Sequence, residues 1–377
     1  MLLSEEQELF RESFRRFAVE WIAPKAKAVE EAAEFPWDHF HLLGNEGLFG
    51  LHVPVKYGGK GLKLMESVMA VEEIAAACAS TSVLLCTQAL PTFSLLLGGN
   101  EEQKSQFLPL LAHGKVPGAF CITEAGAGSD VANVQTIAEK NKDGYVLKGR
   151  KKFIVNAGVA GLYVVLARTS EHRTKGLSLF IVEQDTPGLS FGPRDEMMGM
   201  RGSVTGEVIL DNVQVTEGHL LGNEGDGFPI IMNVFNRTRT LVGAQAVGIA
   251  RGALEYALRY LKERKQFGKS LSDFQMIQGM LADLAMQLEA SRLLVYQASH
   301  KIDCGDSNVE IYASMAKCYA SDTAMKVTTE AVQLLGGYGY SKQHPVERMM
   351  RDAKVTQIYD GTNQIQRLII ARKLLST

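Results

Sequence analysis

The first part of the chain carries apolar residues at helical spacing. Phe10, Phe14, Phe17 and Trp21 lie three or four positions apart, as on one face of an amphipathic helix. Proline and glycine interrupt the pattern at intervals, which indicates several helices rather than one. We therefore predict an N-terminal α-helical domain over residues 1–114.

The pattern shortens between residues 115 and 228. Apolar runs of strand length, rich in β-branched residues, are separated there by glycine or charged turns. They read YVLKG, KFIVNAG, LYVVLAR, LSLFIVE and GEVILDNVQV. Because no helical pattern lies between them, we expect antiparallel pairing in a β-barrel or sandwich rather than βαβ units. This predicts a middle β domain over residues 115–228.

Long helical patterns return after residue 228. They cover residues 229–263, 273–303, 309–335 and 363–375. Residues 345–358 read instead as a mixed-charge approach to a turn. We predict a C-terminal helical domain over residues 229–377, which makes the chain an α+β multidomain protein in the order helix, sheet, helix.

Composition excludes several classes of function. Of 377 residues, 46% are hydrophobic and 22% charged, with a formal net charge of -2. The chain therefore lacks the basic footprint that binds nucleic acid or an anionic membrane. Five cysteines without a C-x-x-C pair and eight histidines without H-E-x-x-H spacing argue against a disulfide framework and against a metal site.

The N-terminal segment and the length of the apolar runs bear on location. MLLSEEQ has no basic region followed by an apolar core, and Ser4 with Gln7 is typical of a helix capping box. No apolar run approaches the roughly 18 residues of a membrane span. We expect a cytoplasmic protein without membrane insertion, or a mitochondrial-matrix protein if the chain is a processed eukaryotic one.

Four segments carry residues suited to binding or acid–base chemistry. CITEAGAGSD at 121–130 combines glycines with hydroxyls that can approach an anionic or planar ligand, although a structural turn explains the same residues. The basic cluster at 262–269 suits phosphate, and equally a solvated helix end. LLGGYGY at 334–340 can be a helix C-cap. YDGT at 359–362 is by itself an ordinary turn or helix N-cap.

Taken in order, these segments resemble the acyl-CoA dehydrogenase family across essentially the whole chain. CITEAGAGSD is similar to the family's flavin loop, ERKQFGKSLSDFQ to its arginine-and-glutamine FAD segment, QLLGGYGY to its subunit-spanning FAD loop, and IYDGTNQIQR to its base-bearing segment. The family fold, with a helical domain, a β domain and a C-terminal four-helix domain, matches the three blocks. The resemblance implies FAD as cofactor and a homotetramer built as a dimer of dimers, because a neighbouring subunit holds part of each FAD.

The resemblance also implies the site residues. Asp360 is the expected base for the substrate's α-proton, and its backbone amide is expected to bond the thioester carbonyl. The residues expected to contact FAD are Phe120, Ile122, Thr123, Gly128, Ser129, Phe153, Ile154, Val155, Arg264, Phe267, Gln275, Gln333, Gly336, Gly337, Thr362, Asn363 and Gln364. Those expected to contact acyl-CoA are Ser129, Asn236, Arg239 and Gly361, with Arg239 gripping the pantetheine-phosphate end. The expected electron acceptor is an electron-transferring flavoprotein.

Two departures from the family pattern bear on the chemistry. Most members carry a glutamate where this chain has Asp360, which is one methylene shorter. Some members carry the base at the position of Thr238, which cannot serve. Misplacing a base by about 1 Å can cost about a hundredfold in rate. Val155 stands where many members have a threonine that hydrogen-bonds the flavin.

The segment at 81–99 is expected to line the acyl pocket, and it contains no charged residue. Gln88, Ala89, Thr92 and Phe93 suggest a neutral pocket, without the arginine that a dicarboxylic acyl group would need. Straight short-chain, branched and alicyclic acyl groups all stay open. An enoyl-CoA reductase running the reverse reaction also stays open, because residues do not set direction. A non-catalytic flavin- and CoA-binding homologue is a further alternative. Nothing in the sequence favours an oxidase.

Overall fold

The computed structural model describes residues 3–376, so the outermost positions of the predicted domains, 1, 2 and 377, lie outside it. Its N-terminal part is helical. The helices are α1 Glu5–Phe17, α2 Ala26–Ala32, α3 Trp37–Asn45, α4 Leu64–Ala77, α5 Ala79–Gly98 and α6 Glu101–Ala112. The predicted capping box at the start of α1 is confirmed, because the Ser4 hydroxyl accepts from the Gln7 amide at 3.2 Å and the Gln7 side chain accepts from the Ser4 amide at 3.1 Å.

Helix α5 is the most apolar helix of this part. It is long and apolar enough, by length and composition, to cross a membrane, which corrects the expectation that no apolar run approaches that length. However, 78% of its most apolar window is buried inside the protein. A core helix of a globular protein has these properties, and α5 packs against α4, α6 and the long helix α7 (Gly227–Glu263).

The middle part of the chain forms a β domain. Its strands are β1 Gly118–Cys121, β2 Ile137–Asn141, β3 Gly144–Val155, β4 Leu162–Arg168, β5 Leu177–Glu183, β6 Leu189–Arg194, β7 Thr205–Val215 and β8 Leu220–Leu221. They form one sheet in the order β6-β7-β3-β2-β4-β5-β8, and β1 also pairs with β4. Most pairs are antiparallel, as predicted.

Strand β1 departs from the prediction, because it runs parallel to β4 with Gly118 opposite Leu162. A single residue pair, Ile137 with Arg168, also joins β2 to β4 in parallel. The β2–β3 hairpin lies between β1 and β4 in sequence and supplies the long crossover that a parallel pair requires. Apolar periodicity does not record strand direction, so the sequence could not show this.

Strands β4 and β5 join the two hydrophobic cores of the protein. Tyr163 and Val165 point into a core within the β domain, whereas Leu162 and Val164 point into the core shared with the helices. Burial on both faces explains why β4 reads as a continuous apolar run instead of alternating with polar residues.

The C-terminal part is helical again. It contains α7, α8 Gln275–Asp303, α9 Val309–Leu335, α10 Val346–Thr356 and α11 Asn363–Leu375, with a short hairpin of β9 Lys265–Gln266 and β10 Lys269–Ser270 between α7 and α8. Helix α10 occupies the segment that the sequence predicts to be a mixed-charge approach to a turn. Its buried residues include Val346, Ala353 and Asp352, so one face packs against the core, and it delivers the chain directly to Asp360.

Candidate active site

The turn between α10 and α11 places Asp360 in a left-handed backbone conformation, with φ of +52°. Gly361 follows with φ of +91°. The two carbonyls of this turn point into the protein. Arg239 Nε and Gln366 Nε2 donate to the Asp360 carbonyl at 3.3 and 3.1 Å. Lys317 Nζ and Gln366 Nε2 donate to the Gly361 carbonyl at 2.8 and 3.0 Å. Four bonds therefore fix the backbone that carries Asp360.

The Asp360 side chain lies in an environment that favours its neutral form. Burial raises the pKa of Asp360 above its ordinary value, while the Thr238 hydroxyl and the charges of Lys317 and Arg239 oppose that rise. The Thr238 hydroxyl is buried and has no hydrogen-bond partner among residues 3–376, so it is available to the Asp360 carboxylate. A carboxylate with a raised pKa is a stronger base, so the environment suits proton abstraction.

Arg239 lies inside the protein and not at the surface. It is 4% exposed, and besides the Asp360 carbonyl its guanidinium donates to the Asn236 amide oxygen at 3.3 Å. It also lies over the Phe235 ring, which in turn meets the edge of Phe120 on β1. The structure therefore does not support the predicted grip on the phosphate end of CoA: Arg239 holds the turn and links α7 to the end of β1.

Helix α5 forms one wall beside Asp360. The pKa of the buried Cys86 thiol is raised by burial and then by the Asp360 charge, which puts the two side chains close together. Tyr359 anchors this wall, because its hydroxyl donates to Gln245 on α7, and Gln245 donates to Ser82 on α5 at 2.8 Å. Helix α5 brings no charged side chain to this wall.

Two polar residues that the sequence predicts to line the acyl pocket have structural partners instead. The buried Gln88 side chain accepts from the Gly118 amide at 2.8 Å and donates to the Leu111 and Val116 carbonyls. The Thr92 hydroxyl donates to the Gln88 carbonyl at 2.7 Å. These side chains stabilise α5 and attach it to β1.

The predicted flavin loop at 121–130 is held by a buried ion pair that sequence reasoning missed. Glu124 accepts from Lys151 Nζ at 2.8 Å, and Lys151 has no exposed surface. Glu124 also accepts from the Thr136 amide and hydroxyl at 2.9 and 2.6 Å. No local pattern marks this pair, because its members lie 27 positions apart.

The part of the loop beyond Glu124 is open. A methyl group added at Gly126 or Gly128 would have no atom of the described residues within 4 Å, and Ser129 is exposed. Before the loop, Ile122 is buried in the core shared with the helices, and Thr123 is half-buried. A ligand can therefore approach the backbone of the loop at its glycines.

Strand β3 brings the second predicted flavin segment to the same edge. The Lys152 amide donates to the Thr123 carbonyl at 2.9 Å. The register between β3 and β7 shifts between Lys151 and Ile154, and Phe153 at this bulge has φ of +57° and is 58% exposed. Ile154 points into the β core, whereas the bulge turns Phe153 outward.

A third set of predicted residues lies around the β9–β10 hairpin. Arg264, Gly336 and Gly337 line one cavity of about 520 Å³, where the Arg264 guanidinium lies 5.3 Å from the centre of the Tyr338 ring. Phe267 at the hairpin turn is 93% exposed. Gln275 and Gln333, which are also among the residues expected to contact FAD, are exposed. Within residues 3–376, the lining of this cavity includes neither Asp360 nor the loop at 121–130.

The residues after Gly361 divide into two kinds. Thr362 caps α11, because its hydroxyl accepts from the Ile365 amide at 3.4 Å, and Gln364 is exposed. Asn363 is buried, and its side chain bonds Lys317, Ser321 and Asp322, so its amide is engaged within the chain. We assign Asn363 to holding the turn.

These surfaces fit a flavin. The open glycine loop and the exposed Phe153 offer backbone donors and an aromatic face to a planar ring. The cavity at Arg264 pairs a cation with an aromatic ring, which suits a pyrophosphate and an adenine. The half-buried Val155 packs against the shared core and has no hydroxyl to offer. The donor set of this chain is therefore compatible with FAD held at two separate surfaces.

Comparison with known proteins gives the context of this geometry. Three family models match the chain: "Acyl-CoA dehydrogenase, N-terminal domain" over residues 4–115, "Acyl-CoA dehydrogenase, middle domain" over residues 119–213, and "Acyl-CoA dehydrogenase, C-terminal domain" over residues 225–375. Together they cover almost the whole chain.

Individual proteins are similar over the same length. A cyclohexane-1-carbonyl-CoA dehydrogenase of Geobacter metallireducens is 46% identical over 99% of this chain and 98% of its own. Butyryl-CoA dehydrogenase from Megasphaera elsdenii has a TM-score of 0.97 at 41% identity, covering 100% of this chain and 99% of that one. A chain from a structure of the electron transferring flavoprotein of Acidaminococcus fermentans, concerned with flavin-based electron bifurcation, has a TM-score of 0.98 at 42% identity and covers 100% of both chains.

Proposed function

Because the chain belongs to the acyl-CoA dehydrogenase family, whose members are FAD-dependent oxidoreductases, we propose that it converts a saturated acyl-CoA to a 2,3-enoyl-CoA with Asp360 as the base. The observation that carries the proposal is the half-buried Asp360 carboxylate, whose pKa is raised by desolvation and whose turn is held by four hydrogen bonds to the Asp360 and Gly361 carbonyls. A weakly acidic α-hydrogen needs a strong and well-placed base.

FAD would be held by the loop at 121–130, by Phe153, and by Arg264 with its neighbouring glycines. When bound, it supplies the two-electron acceptor for the substrate's β-carbon. The chain's own task is to remove the α-proton and to exclude water. Asp360 takes that proton onto its carboxylate, and the Thr238 hydroxyl, which has no partner among residues 3–376, is available to donate to the carboxylate.

The backbone amide of Asp360 would bond the thioester carbonyl, where negative charge develops as the α-proton leaves. Among residues 3–376 this N–H donates to no protein acceptor. The bonds that hold the Asp360 and Gly361 carbonyls keep the turn from rotating. A free donor on a rigid turn is the arrangement that such stabilisation needs.

For the acyl group we propose a compact, neutral one, with an alicyclic or branched chain favoured over a long straight one. The wall beside Asp360 is formed by uncharged residues of α5, including Cys86. Asp360 is shorter than glutamate, so the α-carbon must lie closer to the turn. The relative that acts on cyclohexane-1-carbonyl-CoA supports an alicyclic substrate.

We also propose that an electron-transferring flavoprotein receives the electrons and that the active form is a homotetramer. The similar chain from the electron transferring flavoprotein structure supports the first. The second is supported by the separation of the Arg264 cavity from Asp360 within one chain.

The test is anaerobic reduction of the purified yellow protein with butyryl-CoA, isobutyryl-CoA and cyclohexane-1-carbonyl-CoA. We expect at least one to bleach the flavin, and Asp360→Asn to lower that rate by about 10²–10⁴-fold, the usual contribution of a general base. Asp360→Glu should retain activity with a changed preference among the three. If no acyl-CoA bleaches the flavin but the dithionite-reduced protein is reoxidised by an enoyl-CoA, the protein is a reductase. If neither occurs, it is a non-catalytic homologue.

A further inference from the structure

Lys317 lies on α9 and has no exposed surface, which is unusual for a lysine. Its ammonium donates to the Gly361 carbonyl at 2.8 Å and to the Asn363 amide oxygen at 2.9 Å. Both acceptors lie within three residues of Asp360, so one side chain ties the turn to α9. Nothing in the sequence sets Lys317 apart from the exposed Lys326 of the same helix.

The acceptor Asn363 is itself oriented from α9. Its amide nitrogen donates to the Ser321 hydroxyl and to an Asp322 carboxylate oxygen, each at 2.8 Å. Asp322 is held in turn by Gln357 at 2.6 Å. The amide oxygen of Asn363 therefore faces Lys317, and the start of α11 cannot turn away from it.

We propose that Lys317 is a positioning residue for the reaction: it sets the location and the charge state of Asp360 by binding Gly361 and Asn363 with a buried ammonium. The inference rests on the proposed role of Asp360 as base. A neutral side chain of similar length would fill the space, but it would leave the Gly361 carbonyl without this donor and would remove a positive charge near the carboxylate.

The charges around Lys317 make its effect dependent on pH. Asp360 on the turn, Arg239 on α7, and Cys318 and Asp322 on α9 all act on it. Burial lowers the pKa of Lys317 to about 8, and the Asp360 charge is the main opposing influence. The ammonium form therefore favours the ionised form of Asp360 and is lost as the pH rises through about 8.

The experiment measures proton abstraction apart from oxidation. 3-Thiabutyryl-CoA carries sulfur in place of the β-carbon, so the holoenzyme in D₂O can only remove an α-proton and return a deuteron. Exchange is followed by mass spectrometry across pH for the wild type, Lys317→Met, Lys317→Gln and Lys317→Arg. Thr328→Val is the matched control, because Thr328 is buried on α9 and its hydroxyl bonds only the Ala324 and Met325 carbonyls within residues 3–376.

We expect Lys317→Met to slow exchange by about 10- to 100-fold, as for a base displaced by about 1 Å. The acid limb of its exchange rate against pH should move to higher pH, because loss of a nearby positive charge raises the pKa of Asp360. Lys317→Gln should show the same shift, and it carries the test if the methionine variant does not fold. Lys317→Arg should keep the wild-type acid limb.

Two results would overturn the inference. One is a wild-type exchange rate in Lys317→Met and Lys317→Gln. The other is a slower rate with an unmoved acid limb, matched by Thr328→Val, which would make Lys317 a structural residue only. Retention of exchange in Asp360→Asn would instead refute the proposed base, whatever Lys317 does.

Discussion

At the scale of single residues, the environment of Asp360 predicts the pH range of the reaction. Burial raises the pKa of Asp360 above its ordinary value of 3.8, and abstraction needs the ionised form. Activity should therefore be full above the raised pKa and fall as the pH drops through it. We expect kcat/KM for bleaching of the flavin to show an acid limb above pH 3.8. A pH profile that stays flat down to that pH would contradict a carboxylate with a raised pKa as the base.

Asp352 on α10 predicts a pH dependence of stability. Burial raises its pKa to about 7, while its carboxylate accepts from the Met200 amide at 2.5 Å. Because the pKa is higher in the folded state, the contribution to stability is complete below the ordinary value, and it is lost progressively as the pH rises from there through about 7. Each pKa unit corresponds to about 1.4 kcal/mol.

Asp352→Asn keeps an oxygen for the Met200 amide and removes the ionisation. We expect its Tm to vary less between about pH 5.5 and pH 8.5 than that of the wild type, and to be the higher of the two at the alkaline end. Thermal unfolding at both pH values measures this. Parallel losses of Tm in both proteins would show that other groups cause the dependence.

Prediction of single residues from sequence succeeds where a motif marks the position and fails where distant segments meet. Asp360 stands in a recognisable segment, and its role as base stays a prediction. Gln366 stands in the same segment without being marked as a partner of the turn, and Lys317 lies in ordinary helical sequence, so only the fold reveals their bonds to it. The charge of Arg239 marks it in the sequence, yet its direction toward the turn depends on how α7 packs.

At the scale of elements, the Glu124–Lys151 pair joins the loop at 121–130 to β3. Lys151→Met leaves a buried carboxylate without its partner, which costs about 3–5 kcal/mol. We expect lower flavin content and a lower Tm in this variant, measured by absorbance and thermal unfolding. Glu124→Gln combined with Lys151→Met removes both charges and should recover part of the loss in Tm. If the double variant is no more stable than the single one, the buried charge is not the cause.

Whether a helix can be predicted from sequence depends on whether a single apolar period dominates its segment. Helices α7, α8, α9 and α11 show one, and their observed bounds lie within two residues of the predicted ones. The sequence does not predict α10, because its many charged residues and the preceding Pro345 are equally typical of a loop. Nor does it predict the parallel course of β1, because pairing direction follows from the chain path and not from alternation.

At the scale of the whole molecule, a shared cofactor predicts complementation between two defective subunits. Asp360→Asn disables the base, and Arg264→Glu disables the surface at the separate cavity. Each variant alone should be inactive. Co-expressed subunits that pair at random should recover about a quarter of wild-type sites, since half of the dimers are mixed and each mixed dimer has one complete site.

As a control, one chain that carries both Asp360→Asn and Arg264→Glu is co-expressed with the wild-type chain. A shared site should leave about a quarter of wild-type sites in that mixture, whereas a site completed within each chain should leave about half. The rate of bleaching per flavin, with size-exclusion chromatography of the mixture, measures the result. No recovery between the two single variants, in samples that do form mixed oligomers, would show that each chain completes its own site.

The architecture of the whole molecule is predictable because its first and last parts keep a helical apolar period and its middle part consists of apolar runs of strand length. Helix, sheet and helix follow in the predicted order, and the fold class is confirmed by the structure and by the solved relatives. The contacts that unite the parts are not predictable. Gln88 bonds α5 to β1, and Phe235 on α7 meets Phe120 on β1, through side chains that no local pattern marks.

The left-handed backbone of Asp360 has a consequence for descent. Aspartate and asparagine adopt this conformation several times more readily than most other residues. An exchange of one carboxylate oxygen for an amide nitrogen therefore leaves the turn unstrained. After gene duplication, one copy could thus lose catalytic activity through this single substitution while keeping its shape and its ligands. Such a copy would keep the shape of its acyl-CoA and flavin surfaces, and the reverse substitution would restore the base.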